Sequence, residues 1–273
     1  MKDIKLSIIV PIKDIDYWKN NVIRNVDLFK KYNFEHEFLF VYSSKKDNSI
    51  ISLQKILKKE KNIGFYLDQG NSIYSAMNKG IESSKGSYLI FIGADDSFNE
   101  SQISNFIETL NNNLNIKYDL ILFEVLFKGE TEKRSFWKKE GGITTQIHWT
   151  LGQPRIHQGI LYKRSFIISK KIRYLSNIKV TADYIFTSEV CSYKPLTLIK
   201  NFPIIFYNTD GFSSKSSYSY RLIEHIKGYY LIPRLRKYLF FVIVTRFILL
   251  FYKFIFNSAK KLNLIFKNLL KCY

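Results

Sequence analysis

Residues 5–92 alternate between short, near-continuously apolar runs and amphipathic stretches, and this alternation constrains the fold more than any other feature. It predicts strands over Lys5–Val10, Glu37–Tyr42, Asn62–Leu67 and Tyr88–Ile92, separated by helices over Tyr17–Lys31, Asn48–Lys59 and Ile73–Ser84. Strands as apolar as Leu6-Ser7-Ile8-Ile9-Val10 and Leu89-Ile90-Phe91-Ile92 belong in a parallel sheet covered by helices on both faces, so the class is α/β. The run near the amino terminus is too short, and too soon interrupted by Pro11, for a signal peptide.

From Asp119 the pattern changes. Asp119–Phe127, a Lys128-Gly129-Glu130 turn and Thr131–Trp137 read as a hairpin that brings antiparallel pieces to the sheet. A helix over Thr181–Ser192 and a strand over Leu196–Tyr207 follow, and the Asp210–Ser214 loop is expected to close the globular part. In such sheets ligands bind beyond the carboxyl ends of the strands, where the segments after Val10, Tyr42, Leu67 and Ile92 gather carboxylates.

Phe91-Ile92-Gly93-Ala94-Asp95-Asp96 is the sharpest local signal. Two adjacent carboxylates at a rigid strand end suit a hard cation that shares diphosphate oxygens. By itself the pair describes equally well a solvated turn capping a helix near Asn99. Likewise Asp183, in Val180-Thr181-Ala182-Asp183-Tyr184, reads by itself as a helix cap, and His157 as a structural hydrogen-bonding residue beside a strand over Gly159–Tyr162. His36, His148 and His225 form no ligand cluster with it, and Cys191 and Cys272 form neither metal spacing nor a disulfide framework.

Taken together, Ser7-Ile8-Ile9-Val10-Pro11, Lys46-Asp47-Asn48-Ser49, Asp68-Gln69-Gly70, Ala76-Met77-Asn78-Lys79-Gly80-Ile81, Lys85-Gly86, Asp95-Asp96, His157-Gln158, Ala182-Asp183-Tyr184 and Gly211-Phe212-Ser213-Ser214 resemble glycosyltransferase family 2 over roughly residues 5–214. Members are inverting enzymes of GT-A fold, a Rossmann-like nucleotide-sugar-binding sheet with helices on both faces and some antiparallel strands. Within the family the likeness is to bacterial enzymes that assemble capsule, O-antigen and colanic-acid type polysaccharides. The resemblance implies Asp96 and Asp95 as ligands of Mn2+ or Mg2+, with Asp95 also a ribose contact, and Asp183 as the base that deprotonates the acceptor. It implies Pro11, Lys13, Tyr42, Asp47, Asp68, Asn78, Lys79 and Asp95 as nucleotide-sugar contacts, and His157 and Gln158 as contacts to the diphosphate or acceptor.

Two departures bear on the donor. Val41-Tyr42-Ser43-Ser44 stands where many relatives carry a base-recognising aspartate, leaving Tyr42, Asp14 or Asp68 for that role. Ser75 stands where close relatives carry aspartate, beside an apparent Asn71-Ser72 insertion. The implied activity is transfer of a hexose, UDP-linked, to a lipid-linked glycan at the cytoplasmic face of a bacterial plasma membrane. Direct transfer to a polyprenyl phosphate and a non-catalytic nucleotide-sugar-binding module are the alternatives; intact Asp95, Asp96 and Asp183 argue against the second.

Lys and Arg number 42 against 23 acidic residues, for a net charge of +19. Residues 215–273 hold twelve of the basic residues and one acid, Glu224, which sets them apart from a domain over 1–214 as a basic, aromatic helical tail. Arg246, Lys253, Lys260 and Lys267 recur every seven residues, joined by Asn257 and Lys271, and fall on one stripe of an otherwise Phe, Ile and Leu surface. Arg246 amid the apolar run 238–256 disfavours a bilayer span. An amphipathic helix in the interface of an anionic membrane, with Arg234, Arg236 and Lys237 near headgroups, fits better. A helix packed on the protein or in an oligomer interface is the alternative, and a stripe set among phenylalanines is poorly exposed to nucleic acid.

Overall fold

The computed structural model of the chain describes residues 5–12, 17–43, 48–70, 72–113, 118–127, 133–134, 155–208, 216–248 and 251. The amino-terminal half alternates β1 (Leu6–Ile12), α1 (Lys19–Lys30), β2 (His36–Tyr42), α2 (Asn48–Leu57), β3 (Ile63–Leu67), α3 (Ile73–Ser83) and β4 (Tyr88–Phe91). Each bound lies within two residues of the sequence expectation. β5 (Ser97–Phe98), α4 (Ile103–Asn113), β6 (Leu120–Phe127), β7 (Lys133–Arg134), β8 (Ile160–Lys163), α5 (Arg164–Ser169), α6 (Ala182–Ser192), β9 (Thr197–Tyr207), α7 (Tyr218–Leu231) and α8 (Pro233–Arg236) follow. A last helix, α9, runs over 239–248.

The strands make one sheet in the order β3-β2-β1-β4-β8-β6-β9-β5, with β7 on β6. β3, β2, β1 and β4 are mutually parallel, β8 is antiparallel to β4 and β6, β6 and β9 are parallel, and β5 is antiparallel to β9. The expected hairpin is present, with Val125 opposite Arg134 and Leu126 opposite Lys133; its turn and the rest of the 131–137 stretch lie outside the described residues. This order puts the carboxyl ends of β1, β2, β3, β4, β6 and β9 and the starts of β5 and β8 on one edge.

Alternate residues of each strand feed two cores, as a pleat requires. Ile8, Val10, Phe38, Phe40, Ile90 and Phe123 pack with α1, α2 and α4, while Ile9, Leu39, Leu89, Phe91, Leu122 and Tyr162 pack with α3, α5 and α6. Gly80 lets α3 close on β1, because a Cβ there would collide with Ile9. The Lys85-Gly86 step is structural: Gly86 N donates to Ser7 Oγ at 2.8 Å, and Lys85 N and Ser7 Oγ both donate to Glu37 Oε1 at 2.6 Å.

Packing does not stop at residue 214. Tyr229, Ile232, Leu235 and Val242 join the second core, so the start of the basic segment is a wall of the globular unit. Apolar residues on their inner faces draw α7 and α8 onto α6, where Gly228 lies against Ile185, and basic composition does not mark a boundary where that spacing persists. Arg246 faces the protein, half-buried, with its guanidinium 5.3 Å from the centre of the Tyr184 ring. The outward face of α9 is apolar instead, with Phe240 79%, Phe247 56% and Ile248 62% exposed, and Phe251 beyond it 67%. Lys253, Asn257, Lys260, Lys267 and Lys271 lie outside the described residues. Among the described residues no helix is long and apolar enough to cross a membrane.

Candidate active site

The acidic loop follows β4, and it is not a solvated turn: Asp96 is 1% exposed. Its Oδ2 accepts from Gly93 N at 2.8 Å and its Oδ1 from Asn208 N at 3.2 Å, which ties the loop to the end of β9. A Cβ on Gly93 would meet the Asp95 and Asp96 carboxylates, so a side chain there would push them from their present positions. Two amides of α1 grip the loop from the other side. Asn21 Nδ2 donates to Ala94 O at 2.8 Å and Asp96 O at 2.7 Å, and Asn25 Nδ2 to Asp96 O at 2.9 Å. Asn25 Oδ1 accepts from Phe98 N at 3.0 Å. Burial first, then the neighbouring Asp95 charge, push the Asp96 carboxyl up to about 7.

The His157-Gln158 step divides. Gln158 reaches the Asp96 carboxylate with its side chain. His157, expected at the diphosphate or acceptor, instead points into the second core: it is 3% exposed, and its Nδ1 and Nε2 bond to Tyr162 OH at 3.1 Å and Tyr174 OH at 2.7 Å. It stacks on Phe91 at 5.3 Å, and burial holds its pKa down at about 3, so it is neutral. The short turn over His157–Gly159 faces the two side chains in different directions, which residue types alone do not reveal.

Asp183 sits in the first turn of α6, partly buried, with Oδ1 accepting from Tyr184 N at 2.8 Å. Burial pushes its carboxyl up to about 6, against the Tyr184 and Asp183 backbone N–H groups and the Arg221 charge, which lower it. One path of contacts links it to the acidic loop. Thr187 Oγ1 donates to Asp183 O at 2.8 Å and bonds to Tyr162 OH at 2.7 Å; Tyr162 bonds to His157, whose neighbour Gln158 meets Asp96.

The remaining expected contacts scatter. Pro11 is buried in β1, beside Val41 of β2. Tyr42 ends β2, partly buried, with its carbonyl accepting from Asp68 N at 2.8 Å. Ser75 Oγ donates to Asp68 Oδ2 at 2.6 Å and completes a capping box with Ser72 at the start of α3, so the departure at 75 locks the Asp68 loop. Asn78 is a staple: its Nδ2 donates to Tyr174 O and its Oδ1 accepts from Tyr174 N, both at 2.9 Å. Its amide is thereby committed to the fold, not offered to a ligand. Lys79 is half-exposed on α3. Lys13, Asp14, Asp47 and the 210–214 loop lie outside the described residues.

Asn21, Asn25 and Asn208 were not anticipated. Asparagine at i and i+4 within a helix is a usable signal, since its side chain competes with helical hydrogen bonds unless tertiary acceptors take it.

The model of the family described as glycosyl transferase family 2 matches residues 7–170, more than half of the chain. The chain belongs to glycosyltransferase family 2. An uncharacterized glycosyltransferase of Rickettsia conorii is 28% identical to this chain over 103 residues, 38% of this chain and 17% of that protein. One of Rickettsia bellii is 32% identical over 98 residues, 36% of this chain and 14% of that protein. The chain thus matches less than a fifth of the length of these relatives. The structure of S. aureus TarS 1–349 in complex with UDP superposes with a TM-score of 0.63 at 15% identity, covering 83% of this chain and 65% of that one. Mannosyltransferase PcManGT from Pyrobaculum calidifontis, in complex with GDP-Man and Mn2+, gives 0.56 at 10% identity, covering 89% and 72%. The likeness to both is one of fold, the GT-A architecture expected from the sequence.

A divalent cation fits the donor set of this chain under one condition. Among the described residues no three His, Cys, Asp or Glu side chains gather to hold a metal. Asp95 and Asp96 supply oxygen ligands only, and the two backbone bonds and the Gln158 bond take three of the roughly four lone-pair sites of the Asp96 carboxylate, leaving about one for a cation. Such a pair suits Mg2+ or Mn2+ that brings diphosphate oxygens with it.

Proposed function

We propose that this glycosyltransferase moves a hexose from a nucleotide sugar, UDP-linked, to a glycan acceptor with inversion, in bacterial surface polysaccharide assembly of the capsule and O-antigen kind. The observation that carries this reading is the chain of contacts from the Asp95-Asp96 loop through Gln158, His157, Tyr162 and Thr187 to the backbone carbonyl of Asp183. TarS complexes with UDP and with UDP-GlcNAc support a nucleotide-sugar donor, and PcManGT with Mn2+ supports a metal.

Asp95 and Asp96 would hold the cation, Mn2+ or Mg2+, and Asn21 and Asn25 keep their loop in place. When bound, that cation offsets the charge developing on the departing nucleoside diphosphate. Asp183 takes the acceptor hydroxyl proton as the oxygen attacks the anomeric carbon from the face opposite the diphosphate. The acceptor is lipid-linked, and the protein works as a peripheral protein at the cytoplasmic face of the plasma membrane. The exposed Phe240, Phe247 and Phe251, with exposed Arg234, Arg236 and Lys237 nearby, support that site of action.

The test is a screen of UDP- and GDP-sugars for metal-dependent binding and hydrolysis, then the best donor with lipid-linked acceptors. Metal-dependent turnover of one UDP-hexose is expected. Binding with no turnover on any acceptor would leave only a nucleotide-sugar-binding module.

A further inference from the structure

Glu224 is the one acid among twelve basic residues over 215–273, and it is turned inward, 5% exposed. From α7 its Oε1 accepts from Lys179 N at 2.7 Å, and its Oε2 from Val180 N and Thr181 N, both at 3.0 Å, and from Thr181 Oγ1 at 3.2 Å. These three consecutive N–H groups lead into α6, whose N-cap residue Thr181 makes no side-chain cap of its own. On the far side Tyr74 OH of α3 donates to Val180 O at 2.8 Å. Asp183 is the second residue of the helix so anchored. A carboxylate gathering helix-entry N–H groups is doubly favoured, by the charge-assisted bonds and by the helix dipole.

We propose that Glu224 is a positioning residue for transfer, a long-range cap that fixes the start of α6 and with it the orientation of the Asp183 carboxylate. The proposal rests on the reading of Asp183 as the base. It gives the C-terminal helices a part in the chemistry, because the segment beyond residue 214 supplies the clamp on a residue that precedes it.

Geometry separates this role from simple stabilisation. Displacing a reacting group by about 1 Å costs on the order of 10²-fold in rate. Glu224→Ala should therefore lower kcat by roughly that factor while leaving UDP–Mn2+ affinity unchanged, because the acidic loop is held by other residues. Charge provides a second readout. Asp183 is faced by Tyr74 of α3, Tyr162 of β8, Tyr174 of the connecting segment, and Arg221 and Glu224 of α7. Within that set Glu224 raises the Asp183 pKa, so Glu224→Gln should move the acid limb of the pH–rate profile to lower pH.

The experiment measures nucleoside diphosphate release from UDP-glucose, UDP-galactose, UDP-GlcNAc and GDP-mannose with water as acceptor. The rates are taken for the full chain, Glu224→Ala, Glu224→Gln, Asp183→Asn and the Asp183→Asn/Glu224→Ala double variant, and Asp183 is titrated by carbon-13 NMR in the three proteins that retain it. Support is a fall in kcat without loss of UDP–Mn2+ binding, a downward shift of the Asp183 titration in Glu224→Gln, and a double variant no slower than Asp183→Asn. Losses that multiply in the double variant, or an unmoved titration with parent-level kcat, overturn the positioning role. Should Asp183→Asn turn over like the parent, the base reading itself falls, an outcome distinct from an inactive Asp183→Asn beside a fully active Glu224→Ala. If Glu224→Ala does not fold, Glu224→Gln decides through its titration.

Discussion

The acidic loop after β4 and the entry to α6 both centre on an aspartate whose carboxyl is raised by burial, yet they are held in opposite ways. Asp96 is fixed by neutral groups: the backbone N–H of Gly93 and Asn208, with side-chain amides of Asn21 and Asn25 on its carbonyl. Those partners orient the loop without supplying a counter-charge, so burial beside Asp95 raises the carboxyl to about 7, and a bound cation would favour its ionised form. Asp183 stands instead where a cation and an anion of α7 act against each other, Arg221 lowering its pKa and Glu224 raising it. One region has no cation of its own beside its raised carboxyl; in the other, burial raises the carboxyl to about 6 while Arg221 and Glu224 of α7 pull in opposite directions.

That contrast predicts effects that differ in kind. The largest is Asp96→Asn, which should abolish metal-dependent turnover and weaken UDP–Mn2+ binding. Calorimetric titration with UDP and Mn2+ checks this, and parent-level affinity would break the assignment. Asp183→Asn should lose roughly 10²- to 10⁴-fold in transfer with donor affinity intact, read from steady-state rates and equilibrium binding. A general base must be ionised, so the parent rate should rise with pH through about 6, following the raised Asp183 carboxyl, and level off above it. With His157 held neutral near a pKa of 3, His157→Gln should leave that acid limb where it is.

A smaller effect separates fold from ligand contact. Asn78→Ala leaves a Tyr174 N–H and C=O without their partner and should cost about 1–3 kcal/mol of stability. UDP affinity should stay level once the protein is folded, and chemical denaturation beside UDP titration distinguishes the two. Smallest is the outer face: serine at Phe240, Phe247 and Phe251 should barely move the melting temperature, since all three are exposed, but should reduce co-sedimentation with anionic vesicles. Unchanged vesicle binding would remove the membrane reading while leaving the active site untouched.

The parallel half of the sheet was legible in the residues themselves, because strands buried on both faces must be continuously apolar and their helices must show a stripe. Gly80 and Gly93 were legible as motif positions, and their structural reasons are close approach to Ile9 and to the acidic carboxylates. Which way His157 and Gln158 point, and that Asn78 is a staple, depend on a short turn and on a segment 96 residues away, so residue type could not decide them. The C-terminal helices show the same division most sharply. Composition read the stretch from 215 as a basic appendage, and net charge is a property of local sequence that it reports faithfully. Only tertiary packing turns Tyr229, Leu235 and Val242 inward and sets Glu224 against the N–H groups of 179–181, because a buried carboxylate is tolerated only where hydrogen-bond donors meet it, and here they come from a distant stretch of backbone.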